Sequence, residues 1–327
     1  MRRPLAAGLL LAALALASLS VGTHMIAPRD LYDALFAFDP ASTEQLILRE
    51  LRLPRTLLAA LVGAGLGVSG VVMQALSRNP LADPGILGVN AGATFAIVAA
   101  IAAFGIESPT GYMWFGLLGA AAGSAAVFVL GGMATGREPV RAVLAGAALS
   151  VMLLSLTHVV IVNSDMAVFD RFRHWAVGSL QGRGADVVQP VAALTFAGLA
   201  GAAALARGLD AMALGAEIGR SLGAAPERVW LGGAAVIVCL SGAATAAAGP
   251  VAFVGLVAPH LARAAVGPNH AALIPATAFL AAALVMAADV AGRLVIWPAQ
   301  VPVGVMAALI GGPVFVALVR RRRILAL

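Results

Sequence analysis

Apolar segments of about twenty residues follow one another along most of the chain, and short stretches rich in charge, proline or glycine separate them. A transmembrane helix needs about 20 residues, so the pattern predicts an all-α membrane protein with about ten transmembrane helices. The predicted helices are residues 4–24, 55–76, 86–106, 113–134, 142–162, 187–206, 229–249, 253–266, 272–290 and 302–319. The eighth is too short to cross a bilayer alone, and we expect it to pack inside the bundle as a partial helix.

The composition agrees with a membrane protein. Of the 327 residues, 61% are hydrophobic and 11% are charged, whereas a soluble domain carries about 25% charged residues. This excludes a soluble enzyme and a disordered chain, and the single cysteine excludes a disulfide within one chain. We therefore treat residues 1–327 as one transmembrane domain.

The basic residues are all arginines. They lie at the ends of apolar segments, so the membrane accounts for them and no nucleic-acid partner is expected. Since a phosphate-binding P-loop needs a lysine, the chain is not expected to hydrolyse ATP by that route.

Arginine placement also predicts orientation. With the termini inside, 13 arginines fall on the cytoplasmic side and 8 on the other, and the cluster at 320–323 follows the last span directly. Positive charge in short loops favours the cytoplasm, so both termini are predicted to be cytoplasmic. Segment 5–19 could be read as a secretory signal, but the many spans that follow favour an uncleaved first span.

Two triplets of helix-perturbing residues suggest a weak inverted internal repeat. Both show spacings of 7 and 10 residues, and both begin in an apolar helix and end in a segment expected to break a helix. The triplets are Gly63, Gly70 and Pro80, and Gly242, Gly249 and Pro259. They start in spans of opposite direction, and duplicated halves of opposite topology are common in transporters.

Several motifs appear in a fixed order between residues 50 and 320. They are LRLPR at 51–55, MQALSRNPLADPGILG at 73–88, GAEIGRSLG at 215–223, GLVAPHLAR at 255–263, ADVAGR at 288–293, VPVGV at 301–305 and GGP at 311–313. Together they resemble the permease subunits of the FecCD family, the iron-siderophore and vitamin B12 (cobalamin) class of ABC importers.

The resemblance implies a homodimer of ten-helix permeases, although a heterodimer with a related permease stays open. It also implies two cytoplasmic ATPase subunits, which carry ATP and Mg²⁺, and a periplasmic or lipid-anchored substrate-binding protein. This chain would bind no cofactor and catalyse no reaction. Its location would be the inner (cytoplasmic) membrane of a bacterium or archaeon.

At the outer end, the resemblance assigns Arg52, Arg55 and Arg293 to docking of the binding protein, whose glutamates they would receive. A guanidinium group suits carboxylates because it can donate two parallel hydrogen bonds. The alternative is that these arginines are anchors that reach the lipid headgroups. Asp289 lies four residues before Arg293, which predicts a structural ion pair on one helix face; a proton relay is the less favoured alternative.

At the inner end, segment 207–228 is the longest predicted cytoplasmic loop, and the resemblance makes it the ATPase-coupling segment. It is expected to form two short helices broken at Gly219 and Gly223. A plain solvated loop is the alternative. The candidate coupling residues are Leu214, Gly215, Glu217, Arg220, Leu222 and Gly223.

Candidates for the pathway or its inner gate lie at breaks between spans and on the fifth span. They are Asn79, Pro80, Leu81, His158, Asn163, Pro259 and His260. The stretch at 78–85 could equally be a simple tight turn. His260 is expected to be a hydrogen-bonded packing residue in preference to a proton site or metal ligand, and no metal site is predicted.

The function predicted from the sequence is translocation of an iron-siderophore, haem, cobalamin or similar chelate by alternating access. The alternative from another class is an ion-coupled secondary transporter, which usually needs ionisable groups near the bilayer midplane. Almost none fall there, and no paired carboxylates favour an enzyme. The particular chelate is left open, since importers of this family for different substrates share these motifs.

Overall fold

The computed structural model describes residues 2–22, 26–132, 139–221 and 223–320, and these ranges contain helices and no β-strand. The first half consists of α1 (Arg2–Ser20), α2 (Pro28–Phe36), α3 (Thr43–Leu46), α4 (Leu53–Ser77), α5 (Val89–Phe104), α6 (Pro109–Leu130) and α7 (Pro139–Val162). The second half consists of α8 (Met166–Ala176), α9 (Ala185–Ala213), α10 (Ala216–Ser221), α11 (Pro226–Ile237), α12 (Ala243–Ala248), α13 (Val254–Val266), α14 (His270–Leu294) and α15 (Val303–Arg320). A π-helical turn, Ile47–Arg52, leads into α4, another, Val238–Gly242, joins α11 to α12, and a 3-10 turn, Pro84–Leu87, precedes α5.

Each predicted apolar span overlaps a helix of the structure, and the all-α fold class is confirmed. Among the described residues, six helical segments are long and apolar enough to cross a membrane: Thr43–Ser77, Pro109–Leu130, Arg141–Val162, Ala185–Ala213, Pro226–Ala248 and His270–Leu294. Shorter apolar helices overlap the other predicted spans, including α13, which packs against α4 and α14. The number of ten crossings and the cytoplasmic termini stay predictions.

Helix α4 lies at the centre of the bundle and contacts α9, α13 and α14. The small residues of α4 permit these close helix contacts. A Cβ at Gly63 would lie only 2.5 Å from the Ala281 carbonyl oxygen, too close for any larger residue. A Cβ at Gly70 would lie 2.1 Å from the Gly255 carbonyl oxygen. Glycine is thus required where α4 crosses α13, in keeping with the role of small residues between helices in lipid.

The segment before α4 contains more helix than the sequence analysis expected. Helices α2 and α3 and the π-helical turn pack on the end of α1 around Leu19, Leu31, Ala34 and Leu48. These elements hold the start of α4 against the carboxyl end of α1, where the outer arginines lie.

The prediction that Pro259 lies in a helix-breaking segment is wrong. The break lies at residues 249–253, between α12 and α13, and Pro259 is inside α13. Proline has no N–H group, so the Gly255 carbonyl, four residues earlier, loses its helical donor. The side-chain amide of Gln74 on α4 donates to that carbonyl at 3.2 Å, which satisfies the exposed acceptor inside the bundle.

Candidate functional site

Two outer arginines, Arg52 and Arg293, hold the carboxyl end of α1. Arg52 Nη1 donates to the carbonyls of Leu19 and Ser20 at 2.7 and 2.8 Å. Arg293 Nη1 donates to the carbonyl of Ser18 at 2.6 Å. Cations stabilise the carboxyl end of a helix because its last carbonyls lack helical donors. Both residues are buried, 6% and 3% exposed, so their side chains turn into the protein and do not extend as surface anchors.

Asp289 joins two of the arginines. Arg55 approaches it as a fork, with Nη2 2.7 Å from Oδ1 and Nε 3.1 Å from both carboxylate oxygens. Arg293 Nη2 donates to Oδ2, so the ion pair expected from the i,i+4 spacing is present. Gln300 Oε1 accepts from Arg55 Nη1 at 2.7 Å. The carboxylate is 1% exposed, which makes this a buried cluster of two guanidinium groups on one carboxylate.

The three arginines line a cavity of about 340 Å³ at the outer end, together with Gln300 and the rim residue Leu51. The cavity is bounded by the end of α1, the start of α4 and the end of α14. An acidic side chain that enters it would meet more positive than negative charge. The arrangement therefore places three guanidinium groups, the chemistry that suits carboxylates, along one cavity.

Segment 207–228, the predicted coupling segment, is simpler than expected. Helix α9 continues to Ala213, and α10 is one short helix that includes Gly219, so the predicted break at Gly219 is wrong. A Cβ at Gly219 would lie 3.2 Å from the Ala211 carbonyl, so glycine lets α10 fold back onto α9. Gly223 has φ +84°, which ends the segment as expected.

The surface formed by α10 and by Leu214 in the turn before it combines apolar and charged side chains. Leu214 is 59% and Ile218 is 53% exposed. Arg220 Nη2 contacts Glu227 at 2.9 Å, which ties α10 to the start of α11. Of the other predicted coupling residues, Gly215 has φ +106° and Glu217 is exposed, whereas Leu222 lies outside the described residues.

The inner break between α4 and α5 is an ordered turn. Asn79 Oδ1 accepts from the Leu81 N–H at 2.9 Å, and Asp83 Oδ1 accepts from the Gly85 N–H at 2.8 Å. Burial raises the pKa of the Asp83 carboxyl, and the hydrogen bond from Gly85 opposes that rise. Asn79 and Leu81 are exposed and Pro80 is partly exposed, so this turn is available at the surface of the isolated chain.

In the second half of the predicted repeat, Pro259 and His260 take the position that corresponds to the turn at 78–85. They differ from that exposed turn because both are buried inside α13. His260 Nδ1 lies 2.7 Å from the Leu256 carbonyl, a contact within its own helix. The described residues contain no group of three or more His, Cys, Asp or Glu side chains placed to hold a metal ion.

Helix α7 carries the remaining pathway candidates. It is the least buried of the six long apolar helices, and His158 on it and Asn163 directly after its last residue are both exposed. Asn163 Nδ2 donates to the Val159 carbonyl at 2.8 Å. The exposed surface of α7 is thus available to lipid or to another chain.

Comparison with known proteins identifies relatives of this chain. Residues 10–321 match the FecCD transport family. The chain belongs to this family. It is 40% identical over 307 residues to the ferric enterobactin transport system permease protein FepD of Escherichia coli, covering 93% of this chain and 91% of FepD. It is 39% identical over 321 residues to the iron(3+)-hydroxamate import system permease protein FhuB of Bacillus subtilis, covering 98% of this chain and 83% of FhuB.

A solved structure of an ABC transporter of metal-chelate type, in an inward-facing conformation, matches this FecCD chain with a TM-score of 0.85 and 28% identity. The match covers 97% of this chain and 98% of that one. The FecCD chain is therefore a membrane-embedded transport permease with the architecture of an ABC transporter membrane subunit.

Sequence reasoning missed three polar residues of this FecCD permease that join parts of the chain distant in sequence. Gln300 binds Arg55, Gln74 binds both Gly255 and Arg263, and Asp210 binds His270. Arg263 is the last residue of the GLVAPHLAR motif, so the sequence analysis included this residue but did not predict that it is buried. These contacts join helices distant in sequence, which helical spacing cannot predict.

Proposed function

We propose that this protein is the membrane-spanning subunit of an ABC importer that carries an iron-siderophore, or a related metal chelate such as haem or cobalamin, across the inner membrane of a bacterium or archaeon. It works as a homodimer with two ATPase subunits, which bind ATP and Mg²⁺, and with a substrate-binding protein. The relatives named for ferric enterobactin and iron(3+)-hydroxamate support an iron chelate as the first candidate.

The observation that carries the proposal is helix α10 with its exposed Ile218, together with the exposed Leu214 in the turn that leads into it. It projects between two long helices, α9 and α11, that continue into the bundle. Two exposed apolar side chains, one on this short helix and one in the turn before it, suit insertion into a cleft of a partner. A partner that moves α10 moves α9 and α11 with it, and α9 packs against the central helix α4. The segment can thus convert closure of the ATPase subunits into movement of the bundle.

At the outer end, the arginine-lined cavity is the proposed docking site of the binding protein. Arg52, Arg55 and Arg293 carry three positive charges there, against one negative charge on Asp289. Complementary charge accelerates association and orients the two proteins. The internal contacts of Arg52 and Arg293 fix their guanidinium groups in place, which reduces the ordering cost when a carboxylate enters.

In the proposed alternating-access cycle, the pathway lies on the axis of the dimer. The exposed α7, with His158 and Asn163, supports a role as its wall. The turn with Asn79, Pro80 and Leu81 supports an inner gate, because it is exposed and attached directly to α4. Pro259 and His260 contribute from inside the bundle by setting the geometry of α13.

A substitution at the cavity rim tests the docking site without disturbing its buried contacts. Leu51 is 57% exposed and lines the rim. Leu51→Glu adds a negative charge where acidic side chains would enter, so we expect about tenfold weaker affinity for the binding protein at low salt. The affinity should recover partly at high ionic strength. Leu51→Gln is the matched neutral control, and equal affinities of the two variants would exclude docking at this cavity.

The proposed function itself is tested with the permease and its ATPase subunit in lipid nanodiscs. We expect the two to co-purify, and the binding protein loaded with a ferric siderophore to stimulate ATP hydrolysis. Failure of the wild-type permease to bind the ATPase subunit would refute the proposed function. Stimulation by haem or cobalamin and not by a ferric siderophore would change the substrate and leave the importer role intact.

A further inference from the structure

A small polar cavity of about 10 Å³ lies where irregular segments of the two halves meet. From the first half, the turn between α4 and α5 contributes Asp83 and Pro84. From the second half, the break between α12 and α13 contributes Val251, and the π-helical turn contributes Ser241. Leu66, at the middle of α4, also lines it. The cavity therefore lies inside the bundle, apart from the outer arginines and from the coupling segment.

Ser241 presents a buried hydroxyl group to this cavity. The residue is 1% exposed, and its Oγ has no hydrogen-bond partner within the described part of the chain. Two other unbonded hydroxyls, on Ser124 and Thr277, are completely enclosed by protein atoms, whereas that of Ser241 is not. A polar group buried without a hydrogen bond costs free energy, so the position of Ser241 favours a partner located in the cavity.

Asp83 contributes a carboxyl group that has no counter-ion. Its Oδ1 accepts from the Gly85 N–H at 2.8 Å, and its Oδ2 has no donor among the described residues. No arginine or histidine of the same ranges forms an ion pair with it. A carboxyl group inside an apolar bundle is costly unless it is hydrogen-bonded. Both its charged and its neutral form can accept a hydrogen bond from water.

Asn90 and Thr245 supply further polar groups from α5 and α12. Thr245 Oγ1 donates to Asn90 Oδ1 at 3.0 Å, which leaves the Thr245 oxygen able to accept. A Cβ at Gly85 would lie 2.9 Å from both Asn90 Nδ2 and Asp83 Oδ1, so the amide nitrogen is on the side of the carboxylate. The lining thus offers N–H and O–H donors as well as oxygen acceptors. A metal cation needs oxygen acceptors alone, whereas a water molecule uses both kinds of group.

We infer that this cavity, defined by Asp83, Asn90, Ser241 and Thr245, is a binding site for one ordered water molecule. Its volume suits a single water, which needs ~10–15 Å³. The water donates to the free oxygens of Asp83 and Thr245 and accepts from Ser241 or Asn90. These are about three hydrogen bonds, the usual number for a buried water. Irregular backbone inside a membrane protein is tolerated where it lines such a hydrated space.

The water connects the turn at 78–88 to the second half of the chain. Asp83 and Ser241 do not bind each other directly, so the water is the link between the turn and the π-helical turn. The same turn carries Asn79 and Leu81, so the water holds the proposed inner gate against the second half. That consequence rests on the proposed function, whereas the water site itself does not.

Hydrogen exchange of the permease alone in nanodiscs tests the link. Ser241→Ala removes one partner of the water. Backbone amides of residues 82–90 should then exchange about fivefold to tenfold faster, as expected for the loss of one hydrogen bond that restrains local opening. The substitution lies more than 150 residues away in sequence and does not touch the direct bond between Asn90 and Thr245.

Ser69→Ala is the matched control. Ser69 is also fully buried, but its Oγ donates to the Leu66 carbonyl within α4 at 2.9 Å and does not line the cavity. Exchange of residues 82–90 should therefore remain as in the wild type. Unchanged exchange in Ser241→Ala, or an equal increase in both variants, would overturn the inference.

A density map of the wild-type permease at about 2 Å resolution gives a second measurement, which does not depend on the stability of any variant. We expect one peak in the cavity at about 2.5–3.0 Å from Ser241 Oγ. The absence of a peak would overturn the inference. A peak with several oxygens at about 2.3–2.6 Å would indicate a bound cation and would overturn it as well.

Sodium chloride and choline chloride at equal ionic strength distinguish water from a cation in solution. We expect the same unfolding temperature of the isolated permease in both salts, because water is present in each. A higher temperature in sodium that is absent in Asp83→Asn would assign the cavity to a sodium ion and overturn the inference. None of these measurements includes the ATPase subunit or the binding protein, so their outcomes are independent of the proposed function.

Discussion

Asp289→Asn is expected to lower the free energy of unfolding by about 3–5 kcal/mol, because loss of one partner leaves buried charges uncompensated. Asp289 accepts from Arg55 at 2.7 Å and also binds Arg293. All three side chains are largely buried, at 13% exposure for Arg55 and less for the others. Without the carboxylate, two guanidinium groups face each other at the outer end of α4 and α14. Thermal and denaturant unfolding of the permease in detergent measures the effect.

Asp33→Asn is the matched control. Asp33 pairs with Arg29 at 3.8 Å on the same outer side, but the Arg29 side chain is 91% exposed. An exposed pair contributes less than about 1 kcal/mol, so this variant should unfold almost as the wild type does. Equal stability of Asp289→Asn and Asp33→Asn would show that the buried cluster does not hold α1, α4 and α14 together.

Ile218→Asp is expected to cause the largest functional loss, at least about 30-fold in affinity for the ATPase subunit, with a comparable loss of ATP-driven transport. The new carboxylate would be buried without a partner when α10 enters the ATPase cleft. The isolated permease should keep its stability within about 0.5 kcal/mol, because Ile218 is 53% exposed and packs little in the isolated chain. Binding and transport are measured in the same nanodisc and vesicle preparations.

Met166→Asp makes a similar chemical change elsewhere on the chain. Met166 begins α8 and is 72% exposed. It is outside the coupling segment, so ATPase affinity should not change. Unaltered transport by Ile218→Asp, or an equal loss of ATPase binding in both variants, would contradict the role of α10.

Hydrophobic pattern alone predicted the main helices, because a lipid-facing helix must be apolar over its full length. The short helices outside these segments were not predicted. Helices α2 and α8 mix charged and apolar residues over 9 and 11 positions, and their formation depends on packing against α1 and the neighbouring spans. The prediction of a helix break at Pro259 was wrong for a related reason. Gln74, from another helix, donates to the carbonyl that loses its helical donor because of the proline.

The candidate site was predictable where spacing along one helix decides geometry. Asp289 and Arg293 are four residues apart and do form a pair. Arg55 joins the same carboxylate from 234 residues away, and no local pattern encodes that contact. The sequence placed Arg52 and Arg293 at the outer end but did not show that they hold the carbonyls of α1. Gly219 was expected to end a helix, and instead it permits the close approach of α10 to α9.

The most direct test of the account compares purified permease alone with the complete assembly in sealed vesicles. With the ATPase subunit, the loaded binding protein and Mg-ATP present, we expect accumulation of the ferric chelate against its gradient. The permease alone should accumulate none, with or without an imposed proton gradient. Uphill accumulation by the permease alone, driven by that gradient and abolished by a protonophore, would contradict the account and identify an ion-coupled transporter.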